Sequence, residues 1–172
     1  MIRLACYNDL KGIMEVINDA KALFKSEGSD QWQDLDNYPN ELTMSKDIEN
    51  NELYVNIKDN KIVGCIVLST IHEKAYDFIY DGNWQTGDNY SVIHRIAVKN
   101  GYYKQGVAKE MIEFVIELSR KMNLDSIKVD TKLTNERMVG LLLHFGFKIV
   151  GKIDLLRKDV IDKVRIALEK VL

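Results

Sequence analysis

Apolar positions along the chain switch between a two-residue spacing and a three-to-four-residue spacing, and each switch marks a change of element. Ile2 to Tyr7 reads as a short strand. Asn8 is then placed to cap a helix, with Asp9 in its first turn, where a carboxylate complements the dipole. Leu10, Ile13, Ile17, Ala20 and Phe24 recur at helical spacing, and the helix should end near Gly28. Ser29 to Asn40 is polar and aromatic, with Trp32, Tyr38 and the chain's only proline, Pro39. A short helix is expected from Glu41 to Glu49, followed by strands over Glu52 to Lys58 and Lys61 to Thr70. Asp59-Asn60 between those strands is a two-residue hairpin signal.

Ile71 to Asn89 is a second polar stretch with aromatics, Tyr76, Phe78, Tyr80 and Trp84. Tyr90 to Val98 is rich in β-branched residues and reads as a strand. After Asn100-Gly101 a long helix carries Val107, Met111, Phe114, Val115, Leu118 and Met122 on its apolar face. Ser126 to Thr131 is the next strand, Asn135 to Phe145 the next helix, and Gly146 closes it before a strand over Phe147 to Ile153. The last 20 residues fit either a helix through Val160, Val164, Ala167, Leu168 and Val171 or an edge strand over Val164 to Leu168. No repeat or linker interrupts this order, so residues 1–172 are expected to form a single α/β domain.

Composition narrows the function. With 172 residues, 46% hydrophobic and 29% charged, the chain is an ordinary globule with enough apolar material for a core. A formal net charge of -2 supplies no global field for nucleic acid or an anionic membrane, so neither is expected as a partner. Cys6 and Cys65 lie in apolar stretches and have no metal-ligand spacing, so no metal is expected. The N-terminus lacks the apolar core of a signal peptide, and the longest apolar run, Ile62 to Leu68, falls far short of a membrane span. A cytoplasmic location is the expectation.

Candidate chemistry concentrates where strand Tyr90 to Val98 runs through Lys99-Asn100-Gly101-Tyr102-Tyr103-Lys104-Gln105-Gly106-Val107-Ala108 into the long helix. The first N–H groups of a helix lack internal acceptors, and the dipole favours an anion there. Gly106 puts no side chain in the way of such an anion, and Lys104 and Lys109 add positive charge. A Walker A loop is excluded because Val107-Ala108 stand where Lys-Ser/Thr is required. The three-glycine Rossmann fingerprint is missing as well. What fits is Q/R-x-x-G-x-G/A opening a helix, read here as Tyr103-Lys104-Gln105-Gly106-Val107-Ala108. On its own that match is weak, and the alternative is a glycine-containing helix start with lysines in solvent.

The support is downstream. From Asn135 the run Asn-x-x-Met-x-x-Leu-Leu-x-x-x-Gly-Phe reaches Gly146-Phe147, and with both motifs in register the chain resembles the GNAT N-acetyltransferases. His94-Arg95-Ile96-Ala97-Val98, Asp130-Thr131, Gly151, Gln31-Trp32 and Tyr38-Pro39-Asn40 extend the likeness to a bacterial small-domain branch of that superfamily, over nearly the whole chain. The resemblance implies the GNAT fold, a mostly antiparallel sheet splayed at the cofactor site with helices on both faces. It also implies acetyl-CoA as cofactor, its pantetheine arm along Ile96, Ala97 and Val98 and its pyrophosphate at Tyr103, Lys104, Gln105, Gly106, Val107, Ala108 and Lys109. Asn135, Met138 and Leu142 would meet the cofactor from the later helix, although Asn135 is equally a helix cap. The implied reaction is acetyl transfer to a primary amine of a small molecule or protein by direct attack on the thioester, with the Val98 N–H polarising the carbonyl.

Two residues depart from the family pattern. Tyr103 replaces the usual Gln or Arg. Leu142 replaces a tyrosine that protonates the leaving thiolate, so the acid would be another tyrosine or water. These departures keep open a non-catalytic acyl-CoA-binding module. His94 is the side-chain candidate for general base, because alternation puts it on the face of Ile96 and Val98 and imidazole titrates near neutrality; a purely structural histidine is the alternative. Trp32, Tyr38, Tyr80 and Trp84 would frame the acceptor amine, or simply pack under their loops. A homodimer is a reasonable expectation from the superfamily's edge strands.

Overall fold

The computed structural model describes residues 1–157, 160 and 162–172, and among these the chain forms seven strands and four α-helices. In order they are β1 (Ile2–Leu4), α1 (Leu10–Ser26), α2 (Glu41–Glu49), β2 (Leu53–Lys58), β3 (Lys61–Ser69), β4 (Tyr90–Val98), α3 (Val107–Lys121), β5 (Ser126–Thr131), α4 (Glu136–His144), β6 (Lys148–Asp154) and β7 (Val164–Val171). The strands form one sheet in the order β1-β2-β3-β4-β5-β7-β6. Pairing is antiparallel for β1 with β2, β2 with β3, β5 with β7 and β6 with β7, and parallel for β4 with β5. The parallel register runs from Tyr90↔Ser126 to Val92↔Lys128.

Two expectations change at the N-terminus. β1 stops at Leu4 rather than Tyr7, and Tyr7–Asp9 is a turn of 3-10 helix. Asn8 lies inside that turn, and Asp9 is the residue that precedes α1. The reason is local: the Asp9 carboxylate accepts two hydrogen bonds from the Arg3 guanidinium, at 2.7 and 2.8 Å, and one from Cys6 N at 2.9 Å. That grip folds the chain back before the helix begins.

The C-terminus resolves to a strand over Val164–Val171, although not an edge strand. β7 pairs with β5 on one side and β6 on the other, and Ile166, Ala167 and Leu168 are buried. Pairing on both sides and burial of a continuous apolar run are what a central strand requires. Of the residues before it, Lys158, Asp159 and Ile161 lie outside the described set.

By internal contacts the chain divides into two compact units, Met1–Leu68 with His94–Phe114, and Ser69–Ile93 with Val115–Leu172. In the first unit, Ile13, Val16, Ile17 and Ala20 of α1 pack with Met44 and Ile48 of α2 over Leu53, Val55, Cys65, Val67 and Ala97 of the strands. The β2–β3 hairpin turns at Asp59 and Asn60, with φ of 48° and 58°, the pair of left-handed residues that matches strand twist. Gly64 on β3 lets α3 come close, because a Cβ there would meet Met111 Cε and Val107 Cγ1 at 2.9 Å.

In the second unit, Ala75, Tyr76, Tyr90, Val92, Ile153 and Ala167 form the core, with Trp84 and Ile79 against it. The segment between β3 and β4 is stitched to the strands. Tyr80 and Lys152 exchange backbone hydrogen bonds at 2.9 and 2.8 Å, which covers part of β6. Gln85 N and Thr86 Oγ1 donate to the buried Glu169 carboxylate, and Lys128 Nζ donates to Gly87 O while lying over the rings of Tyr90 and Trp84. Buried charges are tolerated when partnered in this way.

The Arg3 fork holds the Asp9 carboxyl down at about 2, against an ordinary 3.8. A carboxyl depressed on folding stabilises above its unfolded pKa and loses that contribution as pH falls through the folded one. Asp9→Asn is expected to lower the unfolding free energy at pH 7 by about 2 kcal/mol. Urea unfolding of the two proteins at falling pH checks this, since the difference should shrink as pH approaches about 2.

Candidate functional site

The start of α3 is fixed from three directions. Glu110, in its first turn, accepts from Asn56 Nδ2 at 2.8 Å and Lys58 Nζ at 2.7 Å, both on β2. Lys99 N donates to Val63 O on β3, and its ammonium pairs with Glu15 of α1 at 2.8 Å. Asn100 N donates to Asp19 Oδ2 of the same helix. The connecting loop is built on left-handed residues, Gly101 (φ 86°), Lys104 (φ 61°) and Gly106 (φ 82°), and Gln105 Nε2 closes it on Gly101 O at 2.7 Å.

The first α3 hydrogen bond runs from Glu110 N to Gly106 O, which leaves the preceding amides without helical acceptors. A Cβ built at Gly106 meets nothing within 4 Å, so the space over that backbone is open. Left-handed amides before a helix N-terminus form a concave row of donors suited to an anion. Val107 is buried and anchors the turn, while Tyr103 and Ala108 are half-buried and Lys104, Gln105 and Lys109 are exposed.

β4 leads into this loop and contains a departure from strand geometry. Arg95 has φ 46°, the left-handed value a bulge residue takes. Strict alternation is interrupted there, so the shared face of His94 with Ile96 and Val98 does not follow from parity. Arg95 is held by Asp47 of α2, Nε to Oδ2 and Nη2 to Oδ1, both at 2.8 Å, and its Nη1 donates to Tyr38 OH at 2.8 Å. Burial raises the Asp47 carboxyl above its ordinary value, and the Arg95 fork works against that rise. Burial, with the Arg95 charge beside it, pushes the His94 imidazole down to about 3, away from the near-neutral range expected of it. Ala97 packs into the core, while Ile96 and Val98 are half-buried.

The remaining candidates divide between the units. Trp32 in the first packs edge-on against Phe24 at 5.5 Å and against the core. In the second, Asn135 caps α4, its side chain accepting from Met138 N at 3.3 Å. Leu142 is fully buried, and Met138 is half-buried. Tyr80 OH donates to Asp154, and Trp84 Nε1 donates to Tyr76 O, so both loop aromatics are anchored by their polar ends. His144 is exposed, and His72 pairs with Asp77 at 2.8 Å.

A model of the acetyltransferase (GNAT) family matches residues 14–147. The chain belongs to the GNAT acetyltransferase family. Acetyl transfer is that family's general activity. This GNAT chain is 34% identical to a GNAT-family acetyltransferase of Streptococcus agalactiae 2603, whose structure covers 100% of it, and 95% of that protein is covered in return, with a TM-score of 0.90. The fold is shared with a GNAT-family acetyltransferase of Listeria monocytogenes 4b F2365 at 21% identity, covering 100% and 94% of the two chains with a TM-score of 0.75. It is shared too with the ribosomal-protein-S18-alanine N-acetyltransferase of Escherichia coli at 14% identity, 99% and 92% coverage and a TM-score of 0.70. No curated protein sequence matches the chain. Among the described residues no helix of this GNAT chain is long and apolar enough to cross a membrane.

Two polar constellations of the GNAT chain escaped the sequence reading. One is Asp47 with Arg95, whose only sequence signal is the single arginine of a largely apolar strand and an acid beside the buried Ile48. The other is Tyr76 with Asp130, joined at 2.8 Å, where burial pushes the phenol well above 10 and raises the carboxyl. Nothing in the sequence links Asp130, 54 positions away, to Tyr76.

With its pKa held at about 3, the His94 ring is expected to stay neutral through the physiological range. Its NMR ring signals should be flat from about pH 5 to 8 and move only in strong acid. Asn135→Ala is expected to cost about 1 kcal/mol of stability in a urea titration, the usual worth of a side-chain cap.

Proposed function

We propose that the chain transfers an acetyl group from acetyl-CoA to a primary amine of a small molecule or protein. The observation that carries this reading is the cradle at the start of α3. Left-handed Gly101, Lys104 and Gly106 precede a helix N-terminus, open space lies over Gly106, and Lys104 and Lys109 are exposed beside it. Those features suit the pyrophosphate of the donor. The strand leading into the cradle, Ile96 to Val98, would take the pantetheine by backbone hydrogen bonds, as a sheet edge takes an extended peptide.

The amine lone pair attacks the thioester carbonyl carbon, the C–S bond breaks, and the sulfur leaves with the bonding pair. The Val98 N–H is the donor assigned to the carbonyl oxygen as negative charge develops there. His94 is the side chain assigned to the amine's proton. Neutral at pH 7 and weakly basic, it would act as a relay that hands the proton on to water. The buried Leu142 has no proton to give, and the Tyr76 phenol is committed to Asp130. Another tyrosine or water would protonate the sulfur, a small demand because a thiolate with a pKa of about 8.5 is a competent leaving group. In the first unit, Trp32 and Tyr38 would meet an ammonium through ring faces, since the Tyr38 hydroxyl is engaged with Arg95.

Calorimetric titration with acetyl-CoA, against ATP and NAD, tests the reading. Micromolar binding of acetyl-CoA alone is expected, abolished in Gly106→Trp, where a large side chain would fill the space over the cradle. Coenzyme A release on an amine panel should follow. Binding without turnover on any amine would favour an acyl-CoA-binding module, and no binding would overturn the proposal.

A further inference from the structure

We propose that Asp47 and Tyr38 are positioning residues for acetyl transfer, acting through Arg95 to lock a left-handed kink in β4 immediately before Ile96, Ala97 and Val98. The proposal rests on the reading of those three residues as the donor's strand.

An L-residue with a side chain takes φ near +46° only when its surroundings hold it there, because the left-handed region crowds Cβ against the backbone. Here the hold is visible. The Arg95 guanidinium makes three hydrogen bonds of 2.8 Å, two to the Asp47 carboxylate and one to the Tyr38 hydroxyl. A planar fork bound at three points fixes the side chain's direction, and the backbone it hangs from must follow. The anchors are themselves rigid. Asp47 is 4% exposed on a helix whose Met44 and Ile48 lie in the core. That helix is capped by Asn40, which accepts from Thr43 N at 3.0 Å. Tyr38 sits two residues before the cap, its N–H on Asp36 Oδ1, and Lys21 of α1 holds the neighbouring Asn37.

A left-handed residue within a strand re-aims everything after it. Beyond Arg95 the side chain of Ala97 enters the core, which fixes the directions of the N–H and C=O groups of Ile96 and Val98. An unkinked β4 would present different backbone groups to the donor. Tyr38 lies in the segment assigned to the acceptor, so one hydrogen-bonded unit sets both the acceptor segment and the donor strand.

The test compares Asp47→Asn/Arg95→Gly with Asp47→Asn/Arg95→Ala. Both remove the two charges together, which avoids leaving either one buried alone. They differ in one methyl group at the kink. Glycine reaches the left-handed region freely and alanine does not. The glycine variant is expected to bind acetyl-CoA within about threefold of wild type, and the alanine variant about tenfold more weakly. In the ligand-free proteins, amide hydrogen exchange at residues 96–98 should be faster in the alanine variant than in the glycine variant. Equal affinities and equal exchange in the two would overturn the proposal.

Tyr38→Phe, which deletes one hydroxyl and keeps the ion pair, guards against loss of the fold. It should raise exchange at residues 96–98 while a cooperative melting transition shows the fold retained, and unchanged exchange would remove Tyr38 from the lock. If wild type fails to bind acetyl-CoA, the functional reading falls on that result, and the exchange comparison still decides whether the pair sets the kink.

Discussion

A carboxylate and a guanidinium withdrawn from water cost more to desolvate than a loose pair returns, and the Arg95–Asp47 contact meets that cost with geometry. Two parallel bonds and a tyrosine hydroxyl satisfy the fork, and the Arg95 charge opposes the upward push that burial gives the Asp47 carboxyl. Much of the first unit is organised around this pair. It joins α2 to β4 and sets the backbone at the one left-handed residue of that strand, and the Arg95 charge adds to the burial that depresses the neighbouring imidazole. Replacing it with apolar side chains of the same volume would fill the space and lose the direction.

The cradle obeys the same economy of means. α3 is drawn onto β3 at Gly64, its first turn is tethered to β2 through Glu110, and the loop before it hangs from α1 at Glu15 and Asp19. Donor amides work only if they point at one place without help from the ligand. Each tether removes a freedom that binding would otherwise have to remove. The glycine motif supplies permission for an anion to approach, and the tethers supply the aim.

The local parts of this design were legible in the sequence. α2 forms over the residues its pattern predicts, the Asp59-Asn60 turn is where the hairpin signal lies, and Asn135 caps α4. All of these are written in neighbours along the chain. What was not legible depends on residues far apart. Arg95 and Asp47 are 48 positions distant, Tyr76 and Asp130 are 54, and no periodicity links such pairs. The base candidate illustrates the difference. The position of His94 in a strand could be read directly, but its proton affinity depends on burial and on the charge at the next residue, and its face on the kink there. The C-terminal strand is a middle case, since the pattern allowed β7 and only its two partners made it central.

The stitched segment between β3 and β4 has a consequence for how this chain can change. Tyr80 is the backbone partner of β6, the outermost strand on its side of the sheet, and Gln85 and Thr86 are donors to a carboxylate buried on β7. Wholesale exchange of that segment, a common route to new specificity in loop-built pockets, would bare a strand edge and orphan Glu169 in the same stroke. Diversification is confined instead to side chains that carry none of the stitching, such as the exposed Ile71 and Phe78. In this protein, innovation is open to point substitution and closed to grafting.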